Sequence, residues 1–234
     1  RPNIFIKIPG TAEGVAAIEE SIVRGINVNV TLLFSLENYE RVHWAFIRGL
    51  ERRLEAGDPI DDVHSVASFF VSRVDTAVDK LLPEGSPLRG TAAVANAKLA
   101  YQRFLEITAD ERWQALAAKG AKVQRPLWAS TGTKNPDYSD VLYVDELIGP
   151  DCVNTMPNAT IDAFLDHGTV RRTVDEDVDG ARRIMDELAA AGVELDDVTR
   201  KLETDGVEAF SDSFDSLGDT IKQELDRMGA RGAA

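Results

Sequence analysis

Three observations in this sequence predict a parallel α/β fold. The first is a short apolar run at residues 3–11, N-I-F-I-K-I-P-G-T, closed by Pro9-Gly10. Runs of this kind read as strands buried on both faces of a parallel sheet. The second is alternation: strand-like and helix-like stretches follow one another five times, the pattern of successive β-α units. The third is size: 234 residues of 44% apolar composition can bury a substantial core.

The first strand carries Lys7. Burial there would disfavour the ammonium form and lower its pKa. The neutral amine so released can attack a carbonyl and form a Schiff base. The alternatives are a lysine that blocks sheet pairing on an edge strand or one that snorkels to water. Residues 11–24 have apolar side chains at Val15, Ile18 and Ile22, a helical spacing ended by Gly25. The second strand is 26–34, where Asn27, Asn29 and Thr31 share one face. A barrel interior near its mouth would use such a polar row; a half-exposed strand would show it too.

Residues 36–56 predict a long helix, broken by Gly57-Asp58-Pro59. The third strand is 63–74, with Ser68 and Arg73 near its C-terminal end. A surface ion pair with Asp75, worth little, is the plain alternative for Arg73. A short helix or turn at 75–82 and one alanine-rich helix at 91–119 come next. The fourth strand, 125–130, runs into T-G-T-K-N-P, whose backbone N–H groups, hydroxyls and Lys134 suit an anion. That signal is shared by many polar loops. A helical turn at 139–147, a fifth strand at 151–156, and helices at 161–165, 181–191, 195–203 and 206–228 complete the chain.

Charge narrows the function. The net charge is −14, and residues 175–226 hold 17 acidic against 5 basic side chains. The remainder is nearly balanced, so the basic footprint that nucleic acid requires is missing; a small anionic substrate stays compatible. No apolar run reaches the roughly 20 residues of a membrane span, and no signal peptide is visible. The single cysteine, Cys152, excludes an intrachain disulfide and fits a reducing, cytoplasmic setting. His43, His64 and His167 are scattered without ligand spacing, so no metal is expected. The chain opens Arg1-Pro2-Asn3 with no initiator methionine. An eight-unit barrel takes about 250 residues, so three further units are expected upstream.

Several stretches together resemble transaldolase. They are N-I-F-I-K-I-P-G-T, G-I-N-V-N-V-T-L-L-F-S at 25–35, S-F-F-V-S-R at 68–73, W-A-S-T-G-T-K-N at 128–135 and G-V-E-A-F at 206–210. The W-A-S-T-G-T-K-N stretch is most similar to the longer bacterial members, some of them fused to a sugar-phosphate isomerase. The resemblance implies a (β/α)8 TIM barrel of class I aldolase type. This chain would supply strands 4–8 within residues 1–174, and acidic helices within 175–234 would pack on them.

The resemblance also implies roles. Lys7 would be the Schiff-base nucleophile and Thr31 would help hold the catalytic water. Asn29 would bond the hydroxyls of a dihydroxyacetone unit, Ser68 would contact substrate, and Phe70 would form an apolar wall. Arg73 would clamp the phosphate with help from Ser130. Lys134 stands where many relatives carry arginine. The implied activity transfers dihydroxyacetone from sedoheptulose 7-phosphate or fructose 6-phosphate to glyceraldehyde 3-phosphate or erythrose 4-phosphate, in the pentose phosphate pathway, without a cofactor. The alternatives are a lysine-dependent aldolase that releases the aldehyde, or an inactive fragment. The family's acid/base aspartate and water-ordering glutamate would precede Arg1, and no carboxylate here matches them. Residues 1–234 alone are therefore expected to be inactive, with the N-terminal barrel segment as their partner.

Overall fold

The computed structural model describes residues 3–232, with side chains for 3–228; Arg1 and Pro2, read above as an abrupt start, lie outside them. Five strands, β1 (Ile6–Pro9), β2 (Val28–Leu33), β3 (Ser65–Phe70), β4 (Arg125–Ala129) and β5 (Val153–Asn154), form one parallel sheet in sequential order. Between them run α1 (Gly14–Val23), α2 (Leu36–Glu55), α3 (Ser72–Val78), α4 (Ala92–Ala109), α5 (Glu111–Ala117) and α6 (Leu142–Asp145). After β5 come α7 (Asn158–His167), α8 (Val178–Ala190) and α9 (Leu195–Gly232). The parallel α/β architecture is as the alternation predicts.

One face of the sheet builds the core. Leu33, Phe69 and Trp128 are ladder partners across β2, β3 and β4, so they share a face, and each is fully buried. The Phe69 ring meets Tyr39 of α2 at 6.0 Å and Trp128 at 6.2 Å, both edge-on. The indole N–H of Trp128 donates to the Leu147 carbonyl at 3.0 Å, which satisfies its one polar atom. Helix α2 starts where Ser35 accepts from the Asn38 N–H at 3.2 Å, and ends with Arg52 and Arg53 in its last turn, favourable to its dipole. It lies so close to α1 that a Cβ at Gly49 would sit 2.7 Å from the Ile22 Cβ. Glu19 of α1 pairs with Arg48 and Arg52 across that contact.

Several predicted elements are corrected. Among the described residues β1 pairs only with β2, as an edge strand, and Ile4, Phe5, Ile6 and Lys7 are exposed. The expectation that Lys7 is buried does not hold: an apolar run reads alike whether a strand has one neighbour or two, and water reaches this one along its free edge. β3 stops at Phe70, which places Arg73 in the first turn of α3. The helix expected over 91–119 breaks at Asp110, whose extended backbone and side-chain bond from the Arg112 N–H at 2.9 Å start α5 afresh. The two helices expected after 195 are the single α9. Gly206 continues that helix where it crosses Leu32, whose Cδ2 would lie 2.8 Å from an added Cβ.

Candidate active site

The site is built on the sheet face opposite the main helix layer. Lys7 and Asn29 are ladder partners on β1 and β2, so their side chains emerge together. The Asn29 Oδ1 accepts from the Ser68 Oγ at 2.7 Å, extending the row to β3. Lys7 and Asn29 occupy the second positions of their strands. Thr31 follows Asn29 on the same strand face; its Oγ1 is buried without a hydrogen-bond partner among the described residues. Just beyond it the ladder between β2 and β3 is irregular, and Leu32 takes a left-handed φ of 58°. Helix α9 closes over this end of β2 and sets the Phe210 ring 5.6 Å from the Lys7 ammonium, within cation–π range.

Phe70 joins this row to a cavity. Its ring packs against Phe34 at 5.2 Å and lies 5.0 Å below the Arg73 guanidinium. That distance is within cation–π range, a contact with the ring that uses none of the guanidinium's N–H donors and so leaves them available to an anion. Arg73 is not the ion-pair partner of Asp75, whose carboxylate turns the other way, to the Ala93 N–H and the Tyr143 hydroxyl. Arg73 and Lys134 line one cavity of about 470 Å³ between α3, α9 and the loop after β4, and Lys80, Lys201, Asp197 and Asp205 line it with them. Ser130 has a left-handed φ of 56°, and its hydroxyl meets Ser72 at 2.9 Å, next to Arg73.

The eight predicted residues thus fall into two adjoining groups. Lys7, Asn29, Thr31 and Ser68 form the sheet-face row; Arg73 and Lys134 share the cavity, with Phe70 and Ser130 against its Arg73 wall. Phe210, Lys80 and Lys201 were assigned no role from sequence. Phe210 was within reach, since it ends G-V-E-A-F, but nothing local places a residue on α9 beside one on β1. Among the described residues no group of three or more His, Cys, Asp or Glu side chains could hold a metal ion, and no helix is long and apolar enough to cross a membrane.

The sheet of this α/β chain thus sets a strand lysine beside an amide and a hydroxyl, with Arg73, Lys80, Lys134 and Lys201 lining the next cavity. The chain belongs to the Transaldolase/Fructose-6-phosphate aldolase family, whose model matches residues 1–221. Among its relatives, a transaldolase of Frankia alni is 53% identical over 99% of this chain and 64% of its own length. One of Mycolicibacterium paratuberculosis is 54% identical over 96% of this chain and 62% of its own. One of Thermobifida fusca is 52% identical over 96% and 63%. The chain spans somewhat less than two thirds of the length of these curated relatives.

Proposed function

We propose that this chain carries a transaldolase site, moving a dihydroxyacetone unit between sugar phosphates through a Schiff base on Lys7. The observation that carries the reading is the Lys7–Asn29–Ser68 row set beside the Arg73–Lys134 cavity in a chain of this family. The Lys7 amine adds to the C2 carbonyl of a ketose phosphate, and loss of water leaves an iminium. The iminium takes up the electron pair of the C3–C4 bond as it breaks, the C4 hydroxyl gives its proton to solvent as it becomes the aldehyde, and the aldose phosphate leaves. The resulting enamine then attacks a second aldose phosphate, and hydrolysis frees Lys7. Asn29 and Ser68 are placed to bond the hydroxyls of the retained unit. A buried, unpartnered Thr31 hydroxyl suits holding the water of hydrolysis. Arg73, planar and stacked, suits a phosphate bidentately.

Five parallel strands in sequential order agree with a (β/α)8 barrel as the parent architecture, in which they correspond to strands 4–8, and α8 and α9 are its C-terminal additions. The matches cover 96–99% of this chain and lend no support to the expectation that these residues are inactive or depend on an upstream partner segment.

The family description names two activities, so free cleavage by a lysine-dependent aldolase is the second reading. Incubation with fructose 6-phosphate and erythrose 4-phosphate separates the two. Transfer yields sedoheptulose 7-phosphate only when the acceptor is present; cleavage releases glyceraldehyde 3-phosphate and free dihydroxyacetone without it. Neither product from the intact chain would remove both readings.

A further inference from the structure

Helix α3 and the Asp79 that caps its C-terminus present two carboxylates one turn apart that the reaction does not use. Asp75 accepts from the Ala93 N–H at 2.7 Å with one oxygen and from the Tyr143 hydroxyl at 2.8 Å with the other. Asp79 repeats the pattern, with the Gly90 N–H at 2.9 Å and the Tyr138 hydroxyl at 2.7 Å. Each carboxylate therefore ties the start of α4 to the segment that follows β4. The Tyr138 ring lies flat on Gly90, whose φ is +73° and where an added Cβ would be 2.7 Å from the ring.

The same helix holds the other end of that segment. Ser72 meets the Ser130 hydroxyl at 2.9 Å and donates its N–H to the Ser130 carbonyl at 3.0 Å. The loop from 131 to 137, with Lys134 at its middle, is thus suspended between Ser72 and Asp79, and α3 also carries Arg73. Inside the loop, the Thr133 hydroxyl bonds the Ser139 carbonyl at 2.8 Å and the Tyr138 N–H bonds the Asn135 carbonyl at 3.2 Å, which shortens the free span further. A cavity of about 230 Å³ remains beneath it, lined by Asp79, Tyr138 and Lys134 among others.

We propose that Asp79, seconded by Asp75, is a positioning residue: its bond to Tyr138 fixes Lys134 relative to Arg73 so that one phosphate meets both cations. This rests on the reading of the Arg73–Lys134 cavity as a phosphate site. A loop already ordered does not lose its freedom when the anion binds, and that saving appears as affinity.

The test uses the full chain and removes only the tyrosine hydroxyl, with Tyr138→Phe. Amide hydrogen exchange in 131–137 should speed up while the sheet stays protected. KM for fructose 6-phosphate should rise about tenfold with kcat within about twofold. Formation of the borohydride-trapped adduct from dihydroxyacetone, which has no phosphate, should be unchanged. Asp79→Ala, which also releases the Gly90 N–H, should raise KM at least as much, and the double variant should be no worse than Asp79→Ala alone, because the Tyr138 bond is already lost in it. Unchanged exchange in 131–137, an unchanged KM, or equal losses with and without phosphate would each overturn the proposal. Arg73→Ala run in parallel separates the two claims. If it raises KM while Tyr138→Phe does not, the latch fails and the phosphate site stands. If Arg73→Ala leaves KM unchanged, the phosphate reading fails, and the positioning role with it.

Discussion

Arg73 shows how a single contact assigns a job. A half-buried guanidinium lying over Phe70 keeps its donors free, whereas one paired to Asp75 would have spent them. Arg73→Ala should raise KM for phosphorylated sugars about 10–100-fold, on the order of 1.5–3 kcal/mol, with little change for dihydroxyacetone; steady-state kinetics on both reads the difference. Two other buried groups govern pH. Burial lifts the Asp75 carboxyl to about 6, against the bonds from Ala93 and Tyr143. A raised folded pKa means that its stabilisation is complete below about 4 and lost as pH rises to about 6, a change of about 3 kcal/mol. Burial takes His43 the other way, to about 3. Its contribution is complete above about 6.5 and is lost as pH falls toward about 3. Both His43 nitrogens lack partners among the described residues, within reach of the Tyr39 and Phe104 rings at 5.9 and 6.1 Å. His43→Phe should therefore raise Tm, and more at pH 5 than at pH 8, while Asp75→Asn should flatten the loss between pH 4 and 6. Calorimetry across that range checks both, and parallel curves for variant and parent would refute the assignment.

At the scale of elements, the α1–α2 contact depends on the absence of one methyl group. Alanine at Gly49 gains about 1 kcal/mol of helix propensity but drives a Cβ into the Ile22 side chain and the Glu19 carbonyl, at 2.7 and 2.9 Å. Overpacking of that kind costs about 1–3 kcal/mol, so Gly49→Ala should lower the urea midpoint rather than raise it. The elements also show what the sequence could carry. Helix α2 was legible to within a residue, because Ser35 caps it, its apolar positions keep one period, and Gly57 follows. The break at Asp110 was not, since an alanine-rich stretch favours helix on both sides and a capping aspartate looks like any polar helical residue. Arg73 was placed on a strand because F-F-V continues the apolar run past the point where the backbone turns into α3. Strand alternation put Asn29 and Thr31 on one face, but it could not join Lys7 and Ser68 to them, because register between strands is not written in any one strand. Nor could Lys201 and Phe210 be placed beside the site, because their positions follow from how α9 crosses the sheet, and no local spacing encodes that crossing.

The chain sets a lysine on a sheet face and closes α9 over it, and among the described residues two apolar strips face solvent. One is Ile4, Phe5 and Ile6 beside β1; the other is Phe214, Leu217, Ile221, Leu225 and Met228 along α9. Strips of this kind drive association, and the net charge of −14 opposes it. Raising ionic strength from about 0.02 to about 0.5 M shortens the screening length several-fold and should shift sedimentation toward larger species; an unchanged profile would mean that the strips are inert. The Schiff base assigned to Lys7, which lies beside Asn29 with its ammonium against Phe210, can be trapped chemically. It is tested most directly by incubating the intact chain with fructose 6-phosphate, reducing with borohydride and mapping the peptides. The account predicts one stable adduct, on Lys7, that is lost in Lys7→Arg while the fold persists. An adduct on any other lysine, or none at all, would contradict it.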